Sequence, residues 1–90
     1  MLSRVRIFIS GTVHGIGLRY YTKEQAGILG LSGYVKNLPD GRVEAVFEGE
    51  KEAVDKIIVW VRRGPFNTQI SGLEEKREEP GGEKGFKIKF

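Results

Sequence analysis

Along residues 3–10, SRVRIFIS, the apolar side chains Val5, Ile7 and Ile9 alternate with Arg4, Arg6 and Phe8, the period of two that marks a strand with one buried face. The alternation stops at GTVHGIG (11–17), where three glycines in seven residues make a loop whose backbone can approach a ligand closely. From Leu18 the spacing turns helical: Leu18, Tyr21, Thr22, Ala26 and Leu29 share one stripe, and Gly30 supplies a stop. SGYVKNL (32–38) predicts a second strand, and LPDG (38–41) a tight turn with Pro and Asp in the middle and Gly last. RVEAVFE (42–48) alternates Val43, Ala45 and Phe47 with Arg42, Glu44 and Glu48, so the third strand should have one wet face. A second helix starts near Glu50, with Val54, Ile57, Ile58 and Val61 on one stripe, Trp60 beside it and Gly64-Pro65 ending it. Residues 67–79 open with the β-formers Thr68, Ile70 and Leu73 and run on as EEKREE, the pattern of an edge strand with a solvated face. After the turn at Pro80, Gly81 and Gly82, GFKIKF (85–90) alternates as a short last strand.

The order β-α-β-β-α-β with a short extra strand predicts an α+β fold, the split β-α-β sandwich: an antiparallel or mixed sheet with two helices on one face. Ninety residues, burying somewhat over ~60% of their unfolded surface, make one domain, 1–90. A first helix of roughly 13 residues spans about 20 Å, and a six-residue strand returns the same distance. The chain therefore leaves one end of the sheet at the glycine loop and comes back to that end in strand two. Asn37, at the end of strand two, should lie beside the loop and Arg19.

Composition narrows the chemistry. With no cysteine and one histidine there is no disulfide, no thiolate zinc cluster, no cysteine nucleophile and little for an all-protein transition-metal site, so neither metal nor cofactor is expected. The amino terminus, MLSRVRIFIS, lacks the continuous apolar core of a signal peptide, and no apolar run approaches the ~18 residues of a membrane span; a cytoplasmic protein with no membrane partner is expected. The formal charge is +3, and residues 1–45 hold 6 basic against 3 acidic side chains. This early excess favours an anionic ligand near the first half and is too small to imply a nucleic-acid partner.

A glycine loop leading into a helix amino terminus offers unpaired N–H groups and the positive end of the helix dipole, and both favour a phosphate-like anion. Arg19, in the first helical turn, has the wrong sign for that dipole unless an anion sits between it and the loop, and its planar fork matches two phosphoryl oxygens. Familiar phosphate motifs do not fit. GIGLRY (15–20) has Tyr20 where a dinucleotide fingerprint needs its third glycine, and no Gly-Lys-Ser/Thr follows the loop.

GTVHGIGLRYYTKEQA, followed by GYVKNLPDGRVEAVFEG, resembles the acylphosphatase family, and the resemblance runs nearly end to end through Trp60, RRGP and GEKGFKIKF. It implies the ferredoxin-like sandwich and metal-independent hydrolysis of the carboxyl–phosphate bond of a small-molecule acyl phosphate, with inorganic phosphate as product. The family's phosphate-binding arginine falls on Arg19 and its water-orienting asparagine on Asn37. Its phosphate loop corresponds to His14, Gly15, Ile16, Gly17 and Leu18, which with Arg19 form the substrate-binding set. Two positions depart from the family: His14 stands where Gln is usual and Leu18 where Phe is usual. The chemistry suits this division of labour. A carboxylate leaves with little protonation, so charge stabilisation and alignment are the main tasks, and an amide orients water without acting as its base. A monomer is expected. The alternatives on the same scaffold are a non-catalytic anion-sensing domain and an RNA-binding module. KGFKIKF begins like an RNA-recognition strand but has Lys87 in place of a small residue, and it is the last strand of the chain.

Overall fold

The structure, a computed structural model, describes residues 1–12, 16–64 and 69–90, the side chains of Thr12 and Ile16 excepted. Its elements run β1 (Leu2–Thr12), α1 (Ile16–Ile28), β2 (Ser32–Asn37), β3 (Val43–Glu50), α2 (Lys51–Arg62), β4 (Gln69–Glu78) and β5 (Phe86–Lys89). They form one five-stranded sheet in the order β4-β1-β3-β2-β5. The pairs β1–β3, β1–β4 and β2–β3 are antiparallel, and β5 joins β2 in parallel, so the sheet is mixed. This is the split β-α-β arrangement that the element order predicts.

Register puts Val5, Ile7 and Ile9 of β1 opposite Phe47, Ala45 and Val43 of β3, and Val35 of β2 opposite Ala45. These residues face the helices and bury completely or nearly so with Val54, Ile57, Ile58 and Val61 of α2 and Leu18 and Ala26 of α1. Helix α1 ends in a left-handed residue, Gly30 at φ +70°, with Leu31 N–H donating to Ala26 C=O and Gly30 N–H to Gly27 C=O, which satisfies two terminal carbonyls. The turn after β2 closes through Gly41 N–H to Leu38 C=O, Gly41 at φ +92°.

Two expectations are corrected. The stripe of α1 was expected to bury Tyr21; that ring is 37% exposed, and Arg19, 7% exposed, takes an inward position instead. The outward face of β3 and the charged run of β4 are not simply solvated. Glu44 and Glu48 are buried, and Arg4 binds Glu48, Glu78 and Glu83 while Arg6 binds Glu44, Glu78 and the Tyr34 hydroxyl. Each of those carboxylates is 38 or more residues from its arginine, so its partner is set by register and not by neighbours in the chain. The Glu48 carboxylate also accepts the N–H groups of Gly81, Gly82 and Glu83. It thereby pins the segment that carries the chain from the β4 edge across to the β5 edge.

Candidate functional site

Three chain ends meet at one end of the sheet. Ile9 pairs with Val43 and Val43 with Asn37, so the carboxyl ends of β1 and β2 lie level with each other, and α1 starts four residues after β1 stops. Before that end β1 carries a bulge between Ser10 and Gly11. Gly11 sits at φ +126°, where an added Cβ would lie 2.1 Å from the Gln69 carbonyl oxygen. Only glycine fits this kink, which turns the chain out of the sheet toward the helix.

The loop is shorter at its helical side than expected. Helix α1 begins at Ile16, so Ile16 and Gly17 belong to its first turn and not to the preceding loop. Helix termini tolerate glycine, and the consequence is favourable for an anion: the N–H groups of the first turn, Ile16 to Arg19, have no partner within the helix. Leu18 is 5% exposed and packs into the core, so only its backbone can face a ligand. His14 and Gly15 lie outside the described residues.

Arg19 enters the site from the first turn of α1. No acidic residue lies in that turn, and no carboxylate among the described residues pairs with the Arg19 guanidinium. Its Nε is buried with no hydrogen-bond partner. Arg4 and Arg6, by comparison, hold three and two carboxylates. The Arg19 Cζ lies 4.7 Å from the centre of the Phe90 ring, a ring that is itself almost wholly exposed. Phe90 follows Lys89, which pairs with Lys36, the residue before Asn37. Phe90 thus comes just past the end of β5, at the sheet end where β2 closes on Asn37 and where α1, carrying Arg19, begins. The Asn37 Oδ1 is likewise buried without a partner. Sequence reasoning named Arg19 and Asn37 and did not place Phe90 near them, because the parallel register of β5 on β2 leaves no mark in the sequence.

A buried, unpaired guanidinium at a helix start with free N–H groups has the chemistry to hold a tetrahedral oxyanion, and a buried amide oxygen at the same sheet end has a lone pair to offer a water or hydroxyl. Among the described residues no group of acidic or histidine side chains is arranged to hold a metal ion, and no helix is long and apolar enough to cross a membrane.

Comparison with known proteins gives the family. A model of the family described as Acylphosphatase matches residues 5–88. Among curated proteins, an acylphosphatase of Rubrobacter xylanophilus is 51% identical over 88 residues, covering 96% of this chain and 79% of that protein. One from Trichormus variabilis is 47% identical over 88 residues, 98% and 87% of the two chains. The crystal structure of acylphosphatase from Bacillus subtilis superposes with a TM-score of 0.92 at 32% identity, over all of both chains.

Proposed function

The chain belongs to the acylphosphatase family, an enzyme family acting on acyl phosphates, and we propose how this enzyme does so. The phosphoryl group sits between the N–H groups of residues 14–19 and the Arg19 guanidinium. Asn37 accepts from and donates to a water, holding it in line with phosphorus opposite the acyl oxygen. The water oxygen bonds to phosphorus as the P–O bond to the acyl group breaks. The carboxylate leaves with the bonding electrons, and the water's proton passes to a phosphoryl oxygen. No strong general acid is needed, because the leaving group is a carboxylate, and no metal is required, because Arg19 and the helix terminus supply the positive charge.

One observation carries this reading: the burial of Arg19 without a carboxylate partner. Burying an uncompensated charge costs several kcal/mol, and placing a cation at a helix amino terminus adds a few tenths more. A dianionic ligand removes both penalties, whereas a structural role for this arginine leaves them standing. Arg19→Ala is expected to lower kcat/KM on an aryl acyl phosphate by about 10³-fold or more and to raise the inhibition constant of inorganic phosphate in step. Arg19→Lys should restore little, since an ammonium cannot reproduce the fork. Equal phosphate affinity in wild type and Arg19→Ala, or a rate abolished by EDTA and restored by magnesium, would overturn the mechanism.

A further inference from the structure

The net charge of +3 conceals how the sheet sorts its charges. The helices pack on the face that carries Val5, Ile7, Ile9 and Val35, so alternation turns Arg4, Arg6, Phe8, Tyr34 and Lys36 to the other face. At the end of that face away from the phosphate site, Glu48, Glu78 and Glu83 surround Arg4, and the N–H groups of residues 81–83 close on Glu48. Toward the site end the balance reverses. Glu44 is buried and taken by Arg6 and Lys36, and Glu74 faces Lys76 at 3.8 Å. Lys87 and Lys89, on the outward side of β5, are exposed and have no carboxylate partner among the described residues. Two aromatic rings stand among these cations. Arg42 and Lys76 lie 5.0 and 5.7 Å from the centre of the Phe8 ring, and Lys89 and Lys36 lie 4.1 and 5.9 Å from that of Tyr34.

We propose that this half of the outward face binds single-stranded nucleic acid, with Phe8 and Tyr34 stacking bases and the lysines of β2 and β5 taking phosphates. An ammonium on an exposed ring is a weak contact and a base on the same ring a stronger one, and the lysine so displaced can pair with a phosphate. The exchange improves both contacts. Spacing selects a single strand. Phe8 pairs with Glu44 and Glu44 with Lys36, two residues on from Tyr34, so the rings are two strands and two residues apart, about 12 Å. Bases stacked in a duplex rise about 3.4 Å per step and leave no face free for a side chain, so only an extended, unstacked strand lays one base on each ring. An acidic protein surface would satisfy the lysines and leave the rings without a partner. The motif KGFKIKF contributes its lysines and not Phe86, which turns inward and stacks on Phe47 at 5.5 Å.

The test is fluorescence anisotropy of a fluorescein-labelled uridine dodecamer titrated with the protein at about 50 and 150 mM salt. Wild type should bind with a Kd on the order of 10⁻⁵ M at the lower salt. With three phosphates held by Lys36, Lys87 and Lys89, the log–log salt slope should be about −2, a loss of about tenfold between the two conditions. Phe8→Leu and Tyr34→Leu keep apolar bulk and remove the stacking face, and each should weaken binding about fivefold or more with the slope unchanged. Tyr34→Phe, which drops the hydroxyl's bonds to Arg6 and Glu44 but keeps the ring, should bind as wild type does. Lys87→Gln combined with Lys89→Gln should flatten the slope to about −0.7. All of these variants should keep wild-type kcat/KM on acetyl phosphate, since none of the residues belongs to the phosphate site. No saturable binding below about 1 mM protein, binding that Phe8→Leu and Tyr34→Leu leave unchanged, or a duplex of equal length bound as tightly as the single strand would each overturn the proposal.

Discussion

Asn37→Ala separates alignment from binding and should move activity and stability in opposite directions. The side chain sits at the end of β2 with its Oδ1 buried and unpartnered, and in the proposed mechanism it holds the water and not the phosphate. Loss of a side-chain amide that organises the reacting atoms costs about 10²–10³-fold in kcat, or about 2.7–4 kcal/mol. The cradle of helix N–H groups and guanidinium is untouched, so the inhibition constant of inorganic phosphate should change by no more than about threefold. In the free protein the same substitution removes a buried acceptor, a feature that costs about 1–3 kcal/mol, against about 1 kcal/mol of lost packing. With Tm moving by about 4–8 °C per kcal/mol in a domain of this size, the variant should melt no lower than wild type and up to about 16 °C higher. Kinetics with an aryl acyl phosphate, phosphate inhibition and thermal unfolding measure all three quantities. A kcat within threefold of wild type, or a phosphate inhibition constant that rises in parallel with the loss of kcat, would refute the orienting role.

The fold supports two further predictions. Gly33 in β2 sits at φ +136° with an added Cβ only 1.8 Å from the Val46 carbonyl oxygen, so Gly33→Ala should destabilise by about 3 kcal/mol or more, visible as a lowered urea midpoint. Acid should weaken the fold through Glu78, whose carboxyl is held at about 2, first by its hydrogen bond to Arg6 and then by Arg4. Because the folded-state value lies below the ordinary 4.5, this contribution is complete above pH 4.5 and lost as the pH falls toward 2. The carboxylate is partly exposed, and after screening the loss is about 1–2 kcal/mol. Urea midpoints of wild type and Glu78→Gln should converge as the pH drops from 6 to 3; a constant gap between them would refute this assignment.

Elements with a clean period were legible from the chain alone. The stripe on α2 and the alternation in β1 and β3 describe faces that bury apolar side chains, and burial is what periodicity reports. Helix α1 was read less well because its buried face includes Arg19, a charge that hydrophobic pattern assigns to solvent. Its start at Ile16 was hidden by Gly17, which reads as loop although a first turn accepts it. The ion pairs behind the sheet were misread for another reason. Alternation separates apolar from charged positions but does not say which opposite charges register will bring together, as it does Arg4 with Glu48 and Glu78. The return of Asn37 to the sheet end where α1 starts was legible because helix and strand lengths alone bring the chain back to its starting end. Phe90 was not, because its place depends on β5 crossing the whole sheet to pair with β2.

The central claim is that the Arg19 guanidinium and the Asn37 carboxamide face one bound phosphoryl group. Titration of inorganic phosphate into ¹⁵N-labelled protein, followed through the side-chain resonances of Arg19 Nε–H and Asn37 Nδ2–H₂, tests it directly. Both sets of peaks should shift along one saturation curve, and in Arg19→Ala the Asn37 peaks should stay still over the same concentration range. Saturable phosphate binding that leaves either residue's peaks unmoved in the wild type would contradict the account.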